Sequence, residues 1–409
     1  MSTLTIANRE FITSLALPLA AVFVVSLGYG VVLPVLPFML ARALGEAARG
    51  AVAWHTGLLT GVYMLALFLF APMWGSVSDR TGRRTLILLG LAGLSGTMLL
   101  LALVRDLPLI YGARVLAGLF AAAVLPTVFA QVSDTCAPEM RARAFAWLSS
   151  ATALGFLFGP ALSGLIASSG IVAGGNAMVL PFYVVAALIG FVWFAVYRFP
   201  TMAPMDHIMN DAPKTSALSL TLLLALSLLV MFGLGSFEVS LALQGQQVLS
   251  LGPRAIGWMF AECSLVMILV QSFGLAPLIQ RLGGGGLLAP AFLAMAIGVG
   301  LLPYAANYPV LLLAVALVAA ASGILIPALA YLVSLAAGSA QGMALGKQTA
   351  VASLGQAAGS AAAGWLFSLF AVAPFWVTAG LLVLSAVMAI HMSRNQMAKR
   401  TMNNDDQGG

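Results

Sequence analysis

"GSVSDRTGRR", residues 75–84, places Asp79, Arg80, Arg83 and Arg84 between two runs without a single Asp, Glu, Lys or Arg. In a chain with 7% charged residues that clustering needs a reason. Each flanking run is long enough to cross a bilayer as a helix, which takes about 20 apolar residues. Working outward, apolar runs recur to both ends of the 409 residues, at 11–39, 53–76, 86–104, 109–133, 143–168, 177–197, 217–243, 255–280, 285–304, 308–336, 347–370 and 373–392. With 62% hydrophobic residues and a mean hydropathy of +1.05, the chain reads as an all-α integral membrane protein of twelve spans. The runs are continuously apolar rather than alternating with period two, so helices are expected and a barrel is not. The first run is too long for a signal peptide, lacks a small-residue cleavage pattern and carries Pro34 and Pro37, so it is counted as a span.

A net charge of +6 and a pI near 9.6 would fit a nucleic-acid binder, but the positions of the charges point to topology. With both termini cytoplasmic, the inner segments hold Arg9, Arg80, Arg83, Arg84, Arg141, Arg143, Arg198, Lys214, Arg281, Lys347, Arg394, Lys399 and Arg400. The outer loops hold only Arg42, Arg49, Arg105 and Arg254. Thirteen against four is the bias that marks the cytoplasmic side of a membrane protein. The partners expected are therefore lipid and a small molecule, not nucleic acid, and a monomer suffices. Cys136 and Cys263 are expected as free thiols. No metal-ligand cluster, nucleophile cluster or Walker motif is present, so neither an enzyme nor an ATP-driven pump is expected.

The longest polar gap, 198–216, "RFPTMAPMDHIMNDAPKTS", separates two halves, 1–197 and 217–409. The halves repeat one another. Gly155, Gly159 and Gly164 recur as Gly355, Gly359 and Gly364, an offset of 200. "LPTVFAQVSD" (125–134) matches "IPALAYLVSL" (326–335) in its proline, valine and serine, an offset of 201. "APLIQRLGGG" (276–285) is a worn copy of 75–84, with Arg281 and Gly283 in the places of Arg80 and Gly82. A duplicated six-span unit with a binding cavity near the membrane midplane is the architecture of an alternating-access transporter. Such a cavity could be lined by Tyr29, Tyr63, Gln131, Gln244, Tyr331, Gln348 and Gln356, whereas His55 reads as an interfacial residue. A non-transporting sensor or scaffold is the reading from another class.

The stretch 75–84 is then the cytoplasmic turn between the second and third spans. Gly75 and Gly82 would permit close helix approach and a tight turn. Asp79 can pair with arginines, and Arg83 and Arg84 can reach Asp134 at the inner end of the fourth span. Such a cluster could latch one conformation, or it could be a plain topology signal.

"GSVSDRTGRR" resembles the signature of the major facilitator superfamily between its second and third helices. "RVLAG", with Arg114, resembles the family's fourth-helix motif. "GFLFGPALSG" (155–164), with Gly155, Gly159, Pro160 and Gly164, resembles the fifth-helix signature of its drug/proton antiporters. "FAPMWGSVSDRTGRR" (70–84) and "GVVLPVLP" (30–37) are similar to tetracycline/proton antiporters in particular. The resemblance implies a proton-coupled exporter of a small, partly apolar compound, with the proton as coupling ion and no cofactor, in the bacterial inner membrane. A proton-coupled importer or symporter is the alternative. It also implies proton coupling at Arg114, whose alternative is snorkelling to the outer surface. Two acids of the relatives are missing. The first span has Val25 and Ser26 where an acid is common, and the fourth has Gln131.

Read from the residues alone, Gly155, Gly159 and Ser163 form a small-residue stripe for close packing, repeated by Gly355, Gly359 and Ala363. Pro160 should bend its helix. Besides Arg114, the ionisable residues clearly at membrane depth are Glu238, in the seventh span, and Glu262, in the eighth. Loss of water favours the neutral form of a carboxyl group, the property a proton carrier needs. Glu238 is expected to be the principal proton site, with Gly233 and Gly235 giving its helix a place to bend. The alternative for either acid is a structural hydrogen bond to a neighbouring helix.

Overall fold

The computed structural model describes residues 2–45, 48–136, 138–167, 178–199, 217–305, 307–337 and 341–405. Every regular element among them is helical. The first apolar run forms α1 (Ser2–Val32) and the short α2 (Leu36–Leu44) instead of one helix. Pro34 and Pro37 remove two backbone donors, and the chain turns over Val32–Val35. Five further helices follow, α3 (Arg49–Thr81), α4 (Arg83–Leu103), α5 (Leu107–Thr135), α6 (Pro138–Ala167) and α7 (Leu180–Arg198). The linker expected at 198–216 lies, beyond Phe199, outside the described residues.

The seventh run is α8 (Ala217–Leu243), continued by a π-helical turn at Gln244–Val248. The eighth is not one uniform helix. α9 (Pro253–Leu269) passes through a π turn at Val270–Gly274 into α10 (Leu275–Gly286). The rest are α11 (Leu288–Leu301) with a 3₁₀ turn at Leu302–Tyr304, α12 (Tyr308–Ala337), α13 (Gln341–Leu369) and α14 (Ala373–Asp405). Ten spans among the described residues are long and apolar enough to cross a membrane. Of the other two expected, Leu288–Tyr304 is shorter, and α13 trades hydropathy for the glycines and glutamines discussed below. Phe191 and Phe273 are 71% and 76% exposed, which suits side chains surrounded by lipid.

By packing, the chain forms two units, Met1–Met209 with Ala242–Ser264, and Asn210–Leu241 with Leu265–Gly409. In the first, α1 lies along α6 and α7, α3 along α5, and α4 against α5 and α7. Glycine sets these distances. A methyl group added at Gly155 would lie 2.6 Å from the Phe23 carbonyl oxygen, and one at Gly159 would lie 2.8 Å from that of Leu27. Gly30 answers from α1, where an added methyl group would lie 2.9 Å from the Pro160 ring. α6 nevertheless continues unbroken through Pro160. Further along α6, Gly164 faces Pro253 and Arg254, and a methyl group added at Gly257 of α9 would lie 2.5 Å from the Pro160 carbonyl oxygen.

The second unit repeats the first contact. Gly355 and Gly359 of α13 press on the backbone carbonyls of Leu228 and Phe232 in α8, and Gly235 of α8 presses on that of Gln356. In both units the small-residue stripe thus serves the first helix of its own unit. Gly233 and Gly235, expected to give α8 a place to bend, lie within its unbroken helical stretch in this conformation. A methyl group added at Gly233 would lie 3.1 and 3.2 Å from the Leu382 and Met295 side chains, and the helical irregularity comes later, at Gln244–Val248.

A single methyl group should therefore separate two classes of glycine. Gly359→Ala must push the Phe232 backbone aside and should cost about 1–3 kcal/mol, the usual penalty of overpacking. Gly380→Ala meets nothing within 4 Å and should leave the melting temperature of the purified protein unchanged. Equal melting temperatures for the two variants would show that the α8–α13 contact is not tight.

Candidate functional site

The turn at residues 75–84 is organised around one arginine. Gly82 ends α3 and begins α4 at φ +89°, a left-handed conformation that favours glycine. That reversal brings Arg83 back over the end of α3. Its Nη1 lies 2.8 Å from Asp79 and donates to Ser78, while its Nε donates to Asp134 of α5 at 3.0 Å. Asp79 is 64% and Asp134 41% exposed by side chain, so each pair is worth only about 0.2–1 kcal/mol alone. Their effect is to join α3, α4 and α5 at one end of the first unit.

Three expectations for this turn change. Arg84 does not reach Asp134; its guanidinium donates to the Val196, Tyr197 and Phe199 carbonyls at 2.7–3.2 Å and so caps α7. A helix end leaves its last carbonyls without partners, and a cation there also meets the negative end of the helix dipole. Gly75 makes no close approach, because an added methyl there would meet nothing within 4 Å. Arg80 is exposed and joins neither ion pair.

Arg114 lies deeper in the same unit. It is fully buried at 0% exposure, so it does not snorkel to a surface. Gly118, one turn on, lets the Tyr63 backbone of α3 approach α5 closely. That approach brings Leu59 and Tyr63, themselves one turn apart, to the guanidinium. Arg114 Nε donates to the Leu59 carbonyl at 3.1 Å. Its guanidinium carbon lies 4.7 Å from the Tyr63 ring centre and 5.9 Å from that of Tyr29. Tyr29 packs 5.0 Å from Tyr63 and 5.6 Å from Phe156. Nη1 and Nη2 are buried without a hydrogen-bond acceptor. Two tyrosines expected in a cavity and the arginine expected in coupling thus form one cluster. Near the start of α3, His55 Nδ1 meets the Tyr111 hydroxyl at 2.9 Å, a partner that His55 alone did not suggest.

In the second unit, Glu238 of α8 is 8% exposed and accepts a 3.1 Å hydrogen bond from Gln356 Nε2 of α13. The glycine contacts make this possible, since Gly235 sits one turn from Glu238 against the Gln356 backbone. Two further bonds tie α8 to its neighbours, Gln348 Nε2 to Ser227 at 3.1 Å and Ser236 to Thr378 at 2.6 Å. Ser227 and Thr378 were not singled out in the sequence, where small hydroxyls in apolar runs give no signal. Gln131 and Gln244, both of the first unit, are buried as well. Tyr331 is not; at 45% exposure it shares a face of α12 with exposed Leu335, opposite the buried Leu329 and Val333. Glu262 lies in the part of α9 that packs with the first unit, half-buried, with its Oε2 shielded and without a donor. Cys136 and Cys263 are buried thiols that form no disulfide.

Comparison with known proteins places this arrangement. The family description Major Facilitator Superfamily matches residues 19–252 and again 223–404. Multidrug resistance protein 2 of Bacillus subtilis is 26% identical over 371 residues, 87% of this chain and 89% of that protein. The class D tetracycline resistance protein of Salmonella ordonez is 31% identical over 360 residues, 84% and 86% of the two chains. Among solved structures, a bacterial homolog of the human lysosomal transporter Spinster superposes with a TM-score of 0.72 over 93% of this chain and 96% of its own; at 15% identity it attests the fold alone. The twice-matched, duplicated helical unit and the relatives that span nearly its whole length lead to one conclusion: the chain belongs to the Major Facilitator Superfamily of membrane transporters.

Proposed function

We propose that this transporter is a proton-coupled antiporter, which exports a small, partly apolar compound by alternating access. The observation that carries the proposal is the Glu238–Gln356 pair, a nearly buried carboxylate inside a membrane-spanning helix, held by an amide from another helix. An ionisable group at that depth is costly without a function. The relatives add the direction, since two of them are resistance proteins for multiple drugs and for tetracycline. The charge asymmetry fits both termini on the cytoplasmic side of a bacterial inner membrane, and nothing in the mechanism requires more than a monomer.

The amide gives the carboxylate a local two-state chemistry. With Glu238 ionised, Gln356 donates its N–H to the carboxylate, as it does here. With Glu238 protonated, the carboxyl O–H becomes the donor and the amide must offer its oxygen instead. Proton uptake therefore reorients a contact between α8 and α13, at the height where Gly235 and Gly359 lock the two backbones together. Glu262 is the second proton acceptor, and Arg114 supplies the positive charge against which coupling is balanced. Asp79, Arg83 and Asp134 act as the conformational latch with the Gly82 turn, and Arg84 steadies it from α7. Gly155, Gly159, Pro160 and Gly164 shape the helix that carries the antiporter-like signature.

Inverted membrane vesicles test the coupling directly. An imposed proton gradient should drive accumulation of substrate, and added substrate should release protons. Accumulation that survives a collapsed gradient would sink antiport. Glu238→Gln fixes the neutral form, so substrate binding should lose its pH dependence and uphill transport should fall at least tenfold, while downhill exchange continues. If Glu262→Gln does this and Glu238→Gln does not, the principal site is on α9. Asp79→Asn should slow turnover several-fold and leave substrate affinity unaltered, because it changes the balance of conformations and not the binding groups. Normal turnover in both Asp79→Asn and Arg83→Ala would reduce the turn to a topology signal.

A further inference from the structure

Arg114 leaves most of its hydrogen-bonding capacity unused. A guanidinium has five N–H donors, and four of them are on Nη1 and Nη2. Both of those nitrogens are buried without an acceptor, and only Nε is engaged, with the Leu59 carbonyl. Neither ion pair among the described residues involves Arg114. The rings of Tyr63 and Tyr29 face the cation and stabilise it electrostatically. Taking an ion out of water is costly, and the rings offset only part of that cost. On α1, one turn before Tyr29, stand Val25 and Ser26, both buried and neither able to carry charge. The first unit thus has a buried cation whose planar fork is closed by no acid among the described residues.

We propose that Arg114 is a subsite for an anionic group on the transported compound, a carboxylate in the first instance. Nη1 and Nη2 present two parallel donors at the spacing of a carboxylate's two oxygens, a match that a single ammonium does not offer. Tyr29, Tyr63 and Phe156 then supply flat apolar contact for an aryl or alkyl body attached to that acid. The exported compound would accordingly be an amphiphilic organic acid. The inference rests on the transport reading above only in treating the ligand as cargo; binding itself needs no proton gradient.

The test is ligand-induced thermal stabilisation of the purified full-length protein, without a gradient. The probes are acetate, 4-phenylbutyrate and 2-naphthoate, each against its neutral amide, together with 4-phenylbutylamine and sodium chloride. At least one aryl acid should stabilise the wild type saturably and at least tenfold more tightly than its amide. Arg114→Gln should abolish that preference, and Arg114→Lys should keep it with weaker binding. If no acid in the series is preferred over its amide, or if the amine is preferred, the subsite is refuted. Chloride that stabilises where no acid does would make this an inorganic-anion site and refute the cargo assignment. The comparison of acid with amide in the wild type decides even if Arg114→Gln does not fold. Acid binding with gradient-independent transport would overturn antiport alone, and acid indifference with intact antiport would overturn the subsite alone.

Discussion

Gly359 rests against the Phe232 carbonyl and Gly355 against that of Leu228, and much of the second unit follows from those two contacts. In hydrocarbon there is no hydrophobic drive to hold apolar helices together, so close packing and interhelical polar contacts must do it. Backbones this near put side chains on the same faces within hydrogen-bonding reach. Gln356, between the two glycines on α13, meets Glu238; Gln348, two turns earlier, meets Ser227. A larger residue at 355 or 359 would hold α13 off and leave a carboxylate and two amides unpaired at membrane depth. The glycines are thus part of what pairs the buried polar groups, although they carry no polar side chain themselves.

The spans, the duplication and the charge asymmetry were all legible in the sequence, because each depends on where residue types fall along the chain. What faces what was much less so. A membrane helix is apolar on its lipid side and on its packed side, so hydropathy locates it without orienting it. Tyr331 could not be placed on a face for that reason, and the structure puts it on the exposed face of α12, opposite the buried Leu329 and Val333. Glycine is ambiguous in the same way. Gly82 needs its positive φ, Gly155 and Gly359 need their missing side chains, Gly75 needs neither in this conformation, and the letter is the same in each case. Arg84 could be placed at the start of α4 but not assigned to α7, since its acceptors are backbone carbonyls that any sequence would provide. The π turns at Gln244–Val248 and Val270–Gly274 left no signal beyond a nearby glycine.

Two kinds of charge serve two purposes. Around Arg83 the acids are well exposed, each bond is weak, and breaking the cluster is cheap enough for a transport cycle to do it repeatedly. Arg114 and Glu238 are buried, and a change in either one's partner is costly by comparison. That difference suits the exposed cluster to gating and the buried groups to binding, where an incoming proton or acid must make a large difference to be felt.

The duplication divides along the same line. Glycines 155 and 159 have kept their work at 355 and 359, packing against the first helix of their own unit. The charges have not been kept in pairs. At the repeat's offset of 201, Arg114 corresponds to Val315 and Gly118 to Ala319, both fully buried and apolar. At the offset of 200, Gln356 corresponds to Phe156, which packs on Tyr29 in the first unit where Gln356 holds Glu238 in the second. One scaffold, repeated, therefore carries a buried cation among aromatic rings in one copy and a buried acid among amides in the other. The packing is mirrored between the units and the buried chemistry is not. The packing glycines were therefore kept through the duplication while the buried charges diverged.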